Sequence, residues 1–338
     1  MRPLHPLLRR VELRPLIALL VFLFSFAAKF RPMRIRHFIF LVAFLAVIPA
    51  LAQDNNAALS PLFHVETKAE LPLDVSETSG LFFHNGLLWT HNDSGGKPIL
   101  FGMDTTTFAV VQRITLSHAK NKDWEDVCTD DETVFVGNMG NNKGKRKGLK
   151  IYTFPLSSIP AEGDATVEVD SIMFRFADQT NFEKRKEHDF DCEAMFVTDD
   201  HLYLLSKGWA TGTTRLYRLP KTPGQYVAEV VNSFDSQGLV TGADYDRKNN
   251  ILVIVGYANQ KVWKPFIYLI FDFDEHGNQL ANHRFELANY HGMQTEGITF
   301  FDEGRCFVTA ETTKLYTARV FEIDFRKWIN EYRNNGKK

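Results

Sequence analysis

The chain has 338 residues, 44% of them apolar, which is enough to fill the core of one large all-β domain or of two ordinary ones. Charged residues make up 24% and the formal net charge is −2, so there is no basic excess and nucleic acid is excluded as the expected partner. The 29 phenylalanines stand mostly beside Val, Ile, Leu and Tyr in short runs, which favours strands over helices.

In chain order, residues 1–32 read as an upstream extension ahead of a second start at Met33. Residues 33–52 have a basic start, an apolar stretch from Phe38 to Ile48 and small residues Ala50 and Ala52 at a cleavage point, the pattern of a secretory signal peptide. The earlier apolar stretch, Leu16 to Ala28, is shorter than the roughly 20 residues that cross a bilayer. An uncleaved anchor spanning both stretches is the alternative; otherwise no membrane span is expected after signal removal. No Cys follows the cleavage point, which gives no support for a lipid anchor. The expected location is periplasmic or secreted. Residues 53–61 read as a linker.

From 62 to 326 one pattern repeats. Ser79–Phe83, Glu125–Thr129, Glu193–Val197, Gly242–Asp246 and Glu296–Phe300 each precede a polar turn and a second apolar run. A third run follows in every unit and a fourth in all but the last, with starts roughly 45 to 70 residues apart. Four short antiparallel strands per unit describe a β-propeller blade. The expected fold is therefore a single all-β propeller of five four-stranded blades. The last blade would be closed by an N-terminal strand from Phe63 to Leu71, which leaves no open edge. A sixth blade hidden between Pro155 and Asp189 is the alternative. Residues 327–338 read as a tail, a short helix or a frayed end. Cys128, Cys192 and Cys306 show no CxxC spacing and are expected to be buried hydrophobes, with one disulfide plus a free thiol as the alternative.

In a propeller the start of each inner strand lies beside the end of the next, so both sets of residues converge on one mouth of the channel. Glu125, Glu193 and Glu296 stand at the starts; Asn92, Asp93, Asn138, Lys207 and Glu311 stand at the ends or just beyond them. Clustered carboxylates require a cation, a shared proton or a basic partner. Hard oxygen ligands from Asp93, Glu125, Glu193 and Glu296 suit Ca²⁺ or Mg²⁺ rather than zinc. The plain alternative is turn capping, because Asn, Asp and Gly are the ordinary residues of tight turns. Asp123-Trp124-Glu125-Asp126 is the sharpest motif, since acids flanking a Trp need compensation. Lys143, Lys145, Arg146 and Lys147, after the loop containing Asn142, are expected to neutralise those acids, to hold an anion, or simply to be solvated. His188 and His291 lie upstream of blade starts and are candidate proton carriers, although a lone His is more often structural.

The loop Asn92 to Gly95, the Asp123 to Asp126 motif, the Gly140 to Asn142 loop with Arg146, and the pairs Glu193-Ala194 and Glu296-Gly297 resemble a group of secreted bacterial propellers. That group is distantly similar to the SdiA-regulated and phytase-esterase-like propellers. The resemblance covers most of Glu77 to Ile323 and implies an exported propeller with a metal or hydrolase site. Such proteins often carry Asp where this chain has Asn138, which removes one charge from the loop.

Two functions are expected from these residues. The favoured one is a binding module, since no complete catalytic constellation is visible, that takes a small molecule, glycan or peptide at the acidic mouth with Ca²⁺ or Mg²⁺. The alternative is a metal-assisted hydrolase of a phosphoester, lactone or glycoside, with Glu125, Glu193 and Glu296 as acid/base groups and Asn92, Asn138, Asn142, Arg146, Lys207 and Glu311 holding substrate. A monomer is expected.

Overall fold

In the computed structural model the described residues are 62–336, other than 64, 259–261 and 279–282. The upstream extension, signal peptide and linker expected from the sequence lie outside them. Two short strands come first, β1 (Leu62–Phe63) and β2 (Glu66–Glu70). The first blade is β3 (Thr78–His84), β4 (Leu87–Asn92), β5 (Ile99–Asp104) and β6 (Val110–Leu116). Its β3–β4 turn places Asn85 and Gly86 at φ 51° and 75°, the left-handed pair that a two-residue hairpin requires.

The second blade is β7 (Asp126–Thr129), β8 (Thr133–Asn138), β9 (Leu149–Pro155) and, after β10 (Ala165–Val167), β11 (Asp170–Phe176). The third is β12 (Asp191–Val197), β13 (His201–Lys207), β14 (Thr213–Pro220) and β15 (Gly224–Asp235). The fourth is β16 (Leu239–Asp246), β17 (Ile251–Ala258), β18 (Lys264–Phe271) and β19 (His283–Leu287). The fifth has β20 (Thr295–Asp302), β21 (Arg305–Ala310) and β22 (Arg319–Asp324), followed by helix α1 (Arg326–Asn335).

β2 pairs antiparallel with β22 and supplies the outer strand that the fifth blade lacks. Closure by an N-terminal strand is therefore observed, and β1 adds a parallel edge to β19 of the neighbouring blade. The region between Pro155 and Asp189 holds no sixth blade: β10 joins β6 in parallel as a fifth strand of the first blade, and β11 is the outer strand of the second. β11 also pairs in parallel with β15, so the second and third blades form one eight-stranded sheet.

Apolar side chains fill the spaces between blades rather than one central core. Five clusters each join neighbouring blades: first to second, second to third, third to fourth, fourth to fifth, and fifth back to first. Inner strand β12 is buried along its whole length, whereas outer strand β11 buries only Ile172, Phe174 and Phe176. That is why the inner strands read as continuous runs and the outer ones alternate. Near the axis backbones crowd. A Cβ on Gly80 would lie 2.8 Å from the Cα of Asp126, and one on Gly297 would lie 2.7 Å from Leu81 Cγ. All three cysteines are buried and unpaired.

Candidate metal centre at the channel mouth

The pairings put the same three positions of each blade at one end of the channel. Register shifts place Glu193 between Cys192 and Ala194, and Glu296 between Thr295 and Gly297. A bulged residue is left unpaired, which re-aims its side chain. In the fourth blade the bulged residue is Thr241, between Val240 and Gly242. The sequence alignment, which put Gly242 level with the glutamates, is therefore wrong by one residue, because Gly242 occupies the small-residue position of Ala194 and Gly297. Just beyond the second strands, Asp93 N bonds Glu77 O at 2.9 Å and Glu311 N bonds Gln294 O at 3.0 Å, while Lys207 pairs with Asp191.

On one side of the mouth Asp93, Asp123 and Glu125 each bring a carboxylate oxygen within 4.8 Å of the others. Glu125 Oε1 and Asp93 Oδ1 are buried and have no hydrogen-bond partner. Burial first, then Glu193, Asp93, Asp191 and Asp123, pushes Glu125 well above the usual carboxylate range. Burial first, then Asp123, raises Asp93 to about 7. Asp123 is also raised, by burial and Asp191, against Arg146, Lys122 and an Asn142 hydrogen bond. Gly140 closes over the group: a Cβ there would lie 2.6 Å from Asp123 Oδ2 and would strike Glu125 Oε1. Three oxygens at this spacing fit around one Ca²⁺ or Mg²⁺, since metal–oxygen distances are about 2.1–2.5 Å, and no soft donor is present among them.

Across the mouth the chemistry differs. Lys207 Nζ meets Glu193 Oε2 at 3.0 Å, both side chains 6% exposed, and lies 5.2 Å from the centroids of Trp209 and Tyr257. Burial alone would lower Lys207, but Glu193, Tyr257, Glu296 and Asp191 outweigh it and hold the ammonium well above its ordinary value. Gln294 Nε2 donates to Glu296 Oε1 at 3.2 Å and to Glu311 Oε1 at 2.5 Å.

The structure therefore brings Asp93, Glu125, Glu193, Lys207, Glu296 and Glu311 to one mouth. It also commits several expected ligand-holding groups to the fold. Asn92 accepts from Glu77 N at 3.1 Å and donates to Asp74 O at 2.7 Å. Asn138 donates to Lys120 O and accepts from Arg146. Arg146 turns inward, donating to Gly140 O and Asn138 O, with Asp123 at 3.9 Å. Exposed Asn142 gives its bond to Asp123, and Lys207 is engaged by Glu193. Of the histidines, His188 is buried with Nδ1 accepting from Phe190 N, and His291 pairs at 3.0 Å with Glu286 of outer strand β19.

Asp123 was visible in its motif but not assigned as a ligand, and the signal was an acid recurring two residues ahead of the inner-strand glutamate, Asp123 before Glu125 and Asp191 before Glu193. Asp126 points the other way, down the channel, where Oδ2 accepts Met195 N at 2.8 Å and Ala243 N at 3.3 Å. A second opening of about 650 Å³ lies at the far end of the channel. There the cations are already paired, Arg247 with Asp131 at 2.6 Å and Lys248 with Glu303 at 2.6 Å.

No protein-family profile matches the sequence, and no curated protein matches it either. Among solved structures the chain is similar to the WD40 domain of Toxoplasma gondii coronin (10% identity, TM-score 0.36, covering 77% of this chain and 70% of that one). It is similar to a glucose dehydrogenase (10%, 0.43, 77% and 98%) and to a bifunctional GH43-CE protein of Bacteroides eggerthii (11%, 0.44, 76% and 34%). Similarities this low carry no function. The strand pairing itself defines the class, a five-bladed β-propeller closed by its N-terminal strand.

Proposed function

We propose that the chain is an exported propeller whose acidic mouth binds a divalent cation, Ca²⁺ or Mg²⁺, and with it a small oxygen-rich ligand. The observation that carries this reading is the convergence of Asp93, Asp123 and Glu125 with two buried, unpartnered carboxylate oxygens. A buried carboxylate oxygen without a donor is expensive, and a hard cation is the partner that satisfies three at once. Asp93, Asp123 and Glu125 would hold the ion, which would supply positive charge to orient a hydroxyl, carboxylate or phosphoryl oxygen. Glu193 and Glu296, first expected as ligands, support the far wall in this reading. The motif resemblance to secreted propellers and the N-terminal signal pattern support export.

A hydrolase reading has one specific observation in its favour. Glu296 and Glu311 share the Gln294 amide and both are held near 7, Glu296 by burial against Lys207 and Glu311 by burial and Asp93, so either could carry a proton at neutral pH.

The test is metal analysis of the purified protein together with melts in EDTA and in excess Ca²⁺ or Mg²⁺. A cation-dependent rise in Tm that disappears in Glu125→Gln supports the reading. Identical melts with and without cation, and no bound metal, would overturn it.

A further inference from the structure

Arg146 is the one basic residue of its loop that turns to the acids; its neighbours Lys143, Lys145 and Lys147 are exposed. A second basic run, Lys184-Arg185-Lys186, is also exposed and lies against the first. Arg185 N donates to Lys143 O at 3.0 Å, and Gln179 Nε2 donates to Gly144 O at 2.8 Å, fastening the two loops together. Gly144, at φ 65°, packs on the ring of buried His188, which fixes both loops to the body of the second and third blades.

Among the described residues none of these six cations makes an ion pair, although Arg247, Lys248, Lys264, Arg305 and Arg319 elsewhere do. Glu183 and Glu187 flank the second run. Six like charges held close without partners repel one another, and the arrangement is relieved when an anion binds across them. From Lys147 the patch continues into a groove of about 390 Å³ whose lining adds Lys150, Arg175, Gln225 and Tyr226. Amide and phenol groups beside cations suit a ligand that carries hydroxyls as well as negative charges.

We propose that this two-loop patch and its groove form a docking surface for an anionic polysaccharide bearing carboxylate or sulfate groups. Successive acidic sugars lie across Lys143, Lys145, Lys184 and Lys186, and a hydroxyl-bearing unit enters the groove past Lys147. Nucleic acid fits less well: Phe182 of the two loops has Lys147 over its ring at 5.7 Å, and the groove adds only buried Phe174 and half-buried Tyr226, which do not make a row of stacking faces. The exposed lysines of the patch are not themselves in the cation centre, although Asn142 and Arg146 of the same loop reach Asp123 there.

The experiment measures binding of the full chain to a heparin-derived oligosaccharide, to a polygalacturonate fragment, to neutral dextran and to single-stranded DNA of matched charge, over a salt series. The wild type is expected to bind one or both acidic glycans and not dextran. A variant carrying Lys143→Gln, Lys145→Gln, Lys184→Gln and Lys186→Gln is expected to lose about tenfold or more in affinity, with a shallower salt dependence. Its melt should match the wild type, since all four side chains are exposed, and Glu125→Gln should bind the glycan as the wild type does. The proposal is overturned if the wild type binds neither acidic glycan at low salt, if the quadruple variant binds equally well, or if the DNA binds more tightly than both glycans.

Discussion

The amide of Met195 donates to Asp126 Oδ2 at 2.8 Å, linking the inner strands of the second and third blades through a carboxylate buried on the channel axis. The same oxygen receives Ala243 N from the fourth blade, and Oδ1 receives the residue's neighbour Val127 N. Burial pushes the Asp126 carboxyl well up, and the three amides oppose that shift. Asp126→Ala leaves these amides unpaired in the interior and should destabilise the fold by about 3 kcal/mol. Urea unfolding of the variant beside the wild type measures this; an unchanged midpoint would show that the axis is not held by this group.

Removing a charge from the acid cluster should act oppositely in two conditions. Without cation, Glu125 is buried among Glu193, Asp93, Asp191 and Asp123, all of which disfavour its ionisation. Glu125→Gln should therefore raise the Tm in EDTA while removing the response to Ca²⁺ or Mg²⁺. A variant destabilised in EDTA would contradict the repulsion argued here.

Gly140→Ala tests the same centre without changing its charge. The new Cβ strikes Glu125 Oε1 and approaches Asp123 Oδ2, so the carboxylates must part. A loss of about tenfold to a hundredfold in cation affinity is expected, by analogy with damage to groups that orient metal ligands. Calorimetric titration reads it directly.

The pH dependence of the cation-free protein has a definite sign. Glu296, by burial, with Lys207 opposing and Glu311 adding, and Glu311, by burial and Asp93, are both raised from 4.5 to about 7. Between those values the folded protein keeps protons that the unfolded chain has released. Their contribution to stability is therefore full below pH 4.5 and is lost as the pH climbs toward 7. Melts in EDTA across this window should show a falling Tm, and Glu311→Gln should flatten the slope.

Lys207 and Glu193 form a buried pair, so breaking one side should cost more than replacing both. Lys207→Met alone should destabilise by about 3–5 kcal/mol, whereas Lys207→Met with Glu193→Leu should recover much of that loss. Chemical denaturation of the three proteins separates the cases, and equal losses in the single and double variants would count against a paired charge.

The sequence by itself determined the propeller, its five units and its closing strand, because blade strands are local hairpins whose alternation and turn residues repeat along the chain. Leu202–Leu205 and Ile251–Val255 could be read as second strands without any distant contact, and they fall within β13 and β17. The convergence of Glu125, Glu193 and Glu296 followed from that repeat. Tertiary structure decided which acids share a site. Bulges at Glu193, Thr241 and Glu296 shift register by one residue, and a period-2 pattern does not record an extra residue. The inward turn of Arg146, the outward turn of Lys143, Lys145 and Lys147, and the close approach of Gly140 to Glu125 depend on how separate loops pack against one another. Sequence spacing holds no measure of that packing.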